Sequence, residues 1–229
     1  MQRANSWRGS VEEWLPKLRV EKQVGRALVF RRGGIQVDLY APKGADVLTR
    51  HPRDALFFVA AGSGSLFAGG ERTKFVTGDA LFVPAETAHR FEDFTKHLAI
   101  WVVSHADGVE KSEIRDKVAL CGDAETRLDR IPGNLKRSPT PCHRGAFRIR
   151  LYAPRGHDTQ TQTRHNVLQI VARGRGQAMI GSERCSIGPA DILCIPEDTA
   201  HQFEDSTKDF ALWEIVACSN RSAGMRPGG

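Results

Sequence analysis

At 229 residues the chain is long enough for one large or two small cores. Its 40% hydrophobic and 26% charged residues are those of an ordinary globular protein. No run of about 18 apolar residues occurs, which excludes a membrane-spanning helix, and Met1–Arg8 is polar, without the apolar stretch of a secretory signal. The formal net charge of +6 is spread along the chain with no dense basic tract. That pattern argues for a basic surface and against nucleic acid as a partner. Five cysteines, Cys121, Cys142, Cys185, Cys194 and Cys218, are odd in number and scattered. They fit neither a disulfide framework nor a cysteine-type zinc site and point to a reducing, cytoplasmic setting.

In chain order, residues 1–25 form an N-terminal extension. Within it, Ser10-Val11-Glu12-Glu13-Trp14-Leu15 has the look of a short capped helix that should end before Pro16. Strand-like material begins at Arg26-Ala27-Leu28-Val29-Phe30. Short apolar or alternating runs follow: Leu56–Ala60, Ser65–Ala68, Ala80–Val83 and Leu98–Val103, split by Gly62-Ser63-Gly64, Gly69-Gly70 and Pro84. Runs of this length at this spacing predict an antiparallel sandwich or barrel over 26–105. Residues 106–142 change character and read as a linker. Val109 to Leu120 has the mixed charge of a helix, and Pro132-Gly133-Asn134 and Ser138-Pro139-Thr140-Pro141 are turn material. A second barrel is expected over 143–217, then a tail over 218–229.

The second barrel is expected because the chain repeats itself. From Arg32 onward, each residue has a partner 112 positions further on. Leu39-Tyr40-Ala41-Pro42 returns as Leu151-Tyr152-Ala153-Pro154, Gly62 and Gly64 as Gly174 and Gly176, and Trp101 as Trp213. The longest echo is Gly78-Asp79-Ala80-Leu81-Phe82-Val83-Pro84-Ala85-Glu86-Thr87-Ala88-His89 against Ala190 to His201. Roughly 30 of about 70 aligned positions are identical, far above chance, so the architecture is a tandem duplication.

The repeated unit resembles the cupin family, and the whole chain resembles a bicupin. The family's second motif, G-x5-P-x-G-x2-H-x3-N, falls on Gly78, Pro84, His89 and Asp93, with Glu86 in place of the second glycine and Asp93 in place of the asparagine. The second copy supplies Ala190, Pro196, Asp198, His201 and Asp205. The first motif, G-x5-H-x-H-x3-E-x6-G, is eroded. Its ligand positions hold Thr49, His51 and Ala55 in the first copy and Thr161, Thr163 and Val167 in the second. The resemblance implies an all-β fold of two tandem jelly-roll barrels, with the short N-terminal helix and a partly helical linker. It also implies a site where positions 49, 51 and 55 of one strand meet His89 of another. An intact set of three histidines and a glutamate would hold a divalent metal with open positions.

Two readings of His51 and His89 remain open. They hold a transition metal (Zn, Ni, Fe, Mn or Cu) with water filling the vacancies, or they are neutral pocket residues that act by hydrogen bonding. Asp54 is one residue off register and should face away. In the second copy His201 has lost its companion to Thr163, so a metal there would need His165 or His157. Tyr40, Gln36, Thr49 and Ala55, with Tyr152, Arg148, Thr163 and Val167, are expected to line the pockets. Glu92-Asp93 and Glu204-Asp205 either orient an imidazole or cap a turn. The expected function is binding of a small molecule in a barrel pocket, with or without a metal. The alternative is a metal-dependent enzyme of dioxygenase or isomerase type. Assembly is expected as a homodimer or as an internally paired monomer.

Overall fold

The computed structural model describes residues 6–20, 25–32, 34–105, 119–122, 131, 142–145, 147–154, 158 and 162–217. The chain opens with β1 (Trp7–Gly9) and α1 (Val11–Val20). The first repeat then supplies β2 (Arg26–Arg32), β3 (Ile35–Tyr40), β4 (Ala55–Ala61), β5 (Ser63–Ala68), β6 (Glu71–Val76), β7 (Ala80–Val83), β8 (His89–Glu92) and β9 (Ala99–His105). After β10 (Ala119–Gly122), the second repeat supplies β11 (Cys142–Arg144), β12 (Phe147–Tyr152), β13 (Val167–Arg173), β14 (Gly176–Ile180), β15 (Glu183–Ile187), β16 (Ile192–Ile195), β17 (His201–Glu204) and β18 (Ala211–Ala217).

Each repeat folds into a six-stranded and a three-stranded antiparallel sheet. The larger sheets run β10-β7-β4-β9-β3-β2 and β1-β16-β13-β18-β12-β11, and the smaller ones β6-β5-β8 and β15-β14-β17. The expected pair of jelly-roll barrels is therefore what the chain forms. The larger sheets are covered on both faces, which is why their strands read as unbroken apolar runs. One face of each meets the other barrel. Leu56, Phe58, Phe82, Trp101 and Val103 pack into the same core as Leu168, Ile170, Ile192, Trp213 and Ile215. Trp101 Nε1 donates to the Ala190 carbonyl at 2.8 Å, and Trp213 Nε1 donates to the Gly78 carbonyl at 2.9 Å. The opposite faces close the two barrel interiors, one around Phe57, Phe75, Phe91 and Ile100 and the other around Leu193, Phe203, Phe210 and Leu212.

The outermost strands are exchanged between the barrels. β1 pairs with β16 through Trp7↔Cys194, Arg8↔Leu193 and Gly9↔Ile192. β10 pairs with β7 through Ala119↔Phe82, Leu120↔Leu81 and Gly122↔Ala80. The first two pairs of each set are related by the same offset of 112 that relates the repeats, and the register shifts by one residue at Gly122. Each exchanged strand also covers an edge of a six-stranded sheet.

Two local expectations need correction. The helix does not end before Pro16: it runs to Val20 with Pro16 inside. Ser10 caps it as expected, its Oγ accepting from the Glu13 amide at 3.2 Å. Proline removes one helical hydrogen bond, and burial of Leu18 in the core between the barrels carries the helix past the gap. The helical pattern of Val109 to Leu120 falls on residues 109–118, which lie outside the described residues, and ends in a strand, since Ala119–Gly122 is β10.

Candidate functional site

The site in the first barrel begins with alternation along β3. Ile35, Val37 and Leu39 face the core between the barrels, so Gln36, Asp38 and Tyr40 face the interior. Opposite them, the residues before β4 are tied to β8. The Thr49 and His89 backbones exchange hydrogen bonds at 2.9 Å, and the Glu86 amide donates to the His51 carbonyl at 2.7 Å. The turn into β8 puts Glu86 at φ 60°, the left-handed conformation expected where the motif carries a glycine, and Asp93 follows at φ 49°. This frame brings His51 and His89 together, ring centroids 4.6 Å apart and edge to face.

Hydrogen-bond partners set the tautomers of both rings. Arg26 Nη1 lies 3.2 Å from His51 Nε2. A guanidinium only donates, so Nε2 accepts and the proton of the neutral ring sits on Nδ1. His89 Nδ1 lies 2.9 Å from the Thr87 carbonyl, which only accepts. The His89 proton is therefore on Nδ1, and its Nε2 lone pair is bare. Burial pushes the His51 pKa down to about 4, with His89 and Arg26 adding to the shift. Burial also lowers that of His89, against the opposing pull of the Thr87 carbonyl and Asp46. Both rings are neutral at pH 7.

Around the pair lies a cavity of about 480 Å³, lined by Arg26, Tyr40, Asp46, Thr49, Phe57, Phe91 and Val102 among others. Its charged neighbours include an ion pair and a hydrogen-bonded carboxylate, and Lys43 is exposed in its lining. Arg26 Nη2 donates to Asp38 at 2.7 Å, and Gln36 donates to the same carboxylate. Tyr40 donates its hydroxyl to Asp46 Oδ1, and the Phe91 amide donates to Asp46 Oδ2 at 2.7 Å. Burial, then the Asp46 carboxylate, pushes the Tyr40 pKa up, so the phenol stays protonated.

Few metal donors stand at the family's ligand positions in this barrel. The His51 Nε2 lone pair is taken by a cationic guanidinium, Thr49 and Ala55 stand at the other ligand positions, and Ala55 is buried. Only the His89 Nε2 lone pair is free of a protein donor. Among the described residues no group of three or more His, Cys, Asp or Glu side chains is placed to hold a metal ion.

The second barrel repeats the frame and changes the contents. Tyr152 donates to Asp158 Oδ1, and the Phe203 amide donates to Asp158 Oδ2 at 2.9 Å, the same clip 112 residues on. Thr163 replaces His51, Gln169 replaces Phe57, and Glu214 replaces Val102. His201 is buried, its Nδ1 3.4 Å from the Thr199 carbonyl and its Nε2 3.5 Å from the Gln169 amide nitrogen. A smaller cavity of about 190 Å³ is lined by Arg148, Arg150, Thr163, His165, Val167, Glu214 and Val216. His165 is exposed at its rim, Tyr152 and His201 are not in its lining, and His157 lies outside the described residues.

Of the expected lining residues, Tyr40 and Thr49 reach the larger cavity. Gln36 instead holds Asp38, and Ala55 packs in the core. Glu92 pairs with Arg72 and Arg90 on the outer surface and does not orient an imidazole. Asp54 faces away, as its register requires, and accepts from the Ala85 amide at 2.8 Å. Sequence reasoning missed Arg26, Asp38, Asp46, Phe57 and Phe91. Asp46 carried a usable signal, since the offset of 112 lands on another aspartate, Asp158.

Comparison with known proteins agrees with the fold. The crystal structure of the G106A mutant of salicylate 1,2-dioxygenase from Pseudoaminobacter salicylatoxidans is similar at TM-score 0.70 and 13% identity, covering 93% of this chain and 84% of that one. A cupin 2 conserved barrel domain protein from Leptotrichia buccalis is similar at TM-score 0.63 and 11% identity, covering 95% and 99%. At such identities the likeness is one of fold. In sequence, an uncharacterised protein of Streptomyces coelicolor is 32% identical over 76 residues, 32% of this chain and 72% of that protein. The family model of the cupin domain matches residues 37–104, the span that holds His51 and His89. The chain thus carries a cupin domain over residues 37–104, and its second repeat has the same strand plan.

Proposed function

We propose that the first barrel binds a small ring-sized molecule through a hydroxyl group, without a metal. The observation that carries this reading is the division of labour between the two imidazoles. His51 offers an N–H at Nδ1, and His89 offers a bare lone pair at Nε2. One donor and one acceptor suit a hydroxyl, which both donates and accepts. Phe57, Phe91 and Val102 supply the apolar wall for the ring. The Arg26–Asp38 ion pair supplies a fixed pair of opposite charges beside the two rings.

Phenol and resorcinol are suitable probes. Protein purified without added metal should contain far less than one equivalent of Zn, Ni, Fe, Mn or Cu. It should bind one of these probes, and chelator treatment should leave that binding unchanged. His89→Ala should weaken it tenfold or more. Near-stoichiometric metal that disappears in a His51→Ala/His89→Ala variant, with probe binding abolished by chelator, would overturn the reading in favour of a metal-dependent site of dioxygenase or isomerase type.

A further inference from the structure

We infer that the mouth of the second barrel is a separate site for a small oxyanion, a carboxylate or a phosphate, held by Arg148 and Arg150. On β12, Phe147, Ile149 and Leu151 pack between the barrels, so Arg148 and Arg150 face the interior and line the cavity of about 190 Å³. Their counterparts in the first barrel are Gln36 and Asp38, so the middle position has changed from a carboxylate to a guanidinium.

The charge of that position is matched in the first barrel and not in the second. Asp38 is neutralised by Arg26 at 2.7 Å. Among the described residues no ion pair joins Arg148 or Arg150 to a carboxylate. Arg150 Nε is buried and has no hydrogen-bond partner, an arrangement that proteins rarely leave unanswered. Glu214 lies across from Arg150 in the strand register and lines the same cavity, but it has a partner of its own and offsets one charge of two.

A guanidinium presents donors in a planar fork that matches the two oxygens of a carboxylate or phosphate. The Thr163 hydroxyl donates to the His165 carbonyl at 2.8 Å, which fixes the rim beside the two arginines. The volume suits an anion the size of phosphate or a short dicarboxylate; at about 30 Å³ per water, such a cavity otherwise holds several solvent molecules.

Calorimetric titration of the full chain at constant ionic strength, with inorganic phosphate, with malonate and with chloride as control, tests this inference. Phosphate or malonate should bind with one-to-one stoichiometry above the chloride background, and which of them does so separates a phosphoryl from a carboxylate ligand. Arg150→Gln should weaken binding tenfold or more. Arg72→Gln, which removes the same charge from an exposed position, should leave it within twofold. Binding of neither anion, or equal losses in the two variants, overturns the inference. If Arg150→Gln does not fold, amide shifts in the wild-type protein decide: perturbation at Thr163–Val167 supports the site, and perturbation confined elsewhere overturns it.

Discussion

At the same points of the repeat the first barrel places His51, Phe57 and Val102 where the second places Thr163, Gln169 and Glu214. Around these differences the frame is unchanged. The Tyr–Asp–amide clip, the tryptophan hydrogen bonds across the core between the barrels and the exchanged outer strands all recur with the same offset. These three differing positions point into the barrels, whereas the recurring contacts hold the barrels shut or together. The scaffold thus supports two interiors of different character: a larger, mostly apolar cavity beside two neutral histidines, and a smaller one beside two arginines.

The largest expected effect tests the shared frame. Trp101 and Trp213 are both fully buried, and each donates to the other barrel. Trp101→Ala and Trp213→Ala should each cost about 3–5 kcal/mol, the range for deleting a buried tryptophan. Urea unfolding should give the two similar costs. A large loss in one variant and little in the other would show that the barrels do not contribute equally to their interface.

The aspartate clips come next and should separate the barrels. Asp158 is buried, whereas Asp46 is partly exposed beside the larger cavity. Removing either carboxylate takes an acceptor from a tyrosine hydroxyl and a backbone amide, but only around Asp158 are both well shielded from water. Asp158→Ala should cost about 2–3 kcal/mol and Asp46→Ala about 1 kcal/mol. Asp46→Ala should also weaken binding of a phenol probe in the first barrel, since Asp46 anchors that cavity's wall.

The fold was legible in the sequence for a physical reason. Turns that need a special backbone recur with the offset: Gly62 at φ 92° and Gly174 at φ 71° leave no room for a Cβ, which would sit 2.4 Å from Thr95 Oγ1 and 2.5 Å from Thr207 Oγ1. His89 was legible because its place after the proline turn is fixed by spacing alone. Arg26 was not, because it precedes the recognisable repeat and reaches His51 and Asp38 only through tertiary folding. The exchanged strands were hidden for another reason. Runs of three and four residues carry no periodicity, and their partners lie far away in the chain.

A smaller effect is expected from pH, and it belongs to the first barrel. The folded-state pKa of His51 is about 4, below its ordinary 6.5. The unfolded chain therefore binds the proton more readily. The stability of the neutral ring is fully present above pH 6.5 and is lost as pH falls from there towards 4. The midpoint of thermal unfolding should decline over that window, and His51→Gln should flatten the decline. An unchanged slope would mean that His51 is not held neutral by its surroundings.

The finest distinction between the barrels lies at a single backbone position. Gly78 sits at φ 95° and its repeat partner Ala190 at φ 66°, and each gives its carbonyl to a tryptophan of the other barrel. Glycine takes this conformation freely, whereas alanine pays a steric penalty from its Cβ. The hydrogen bond from Trp101 holds Ala190 there in spite of that penalty. Ala190→Gly relieves it but adds conformational freedom to the unfolded chain, so the two effects partly cancel. The expected result is a gain of up to about 1 kcal/mol, while Gly78→Ala should lose about the same. Because the neighbours are equivalent, the pair isolates the backbone term. If Ala190→Gly destabilised the protein, the alanine methyl would have to contribute more through packing against its surroundings than its left-handed backbone costs.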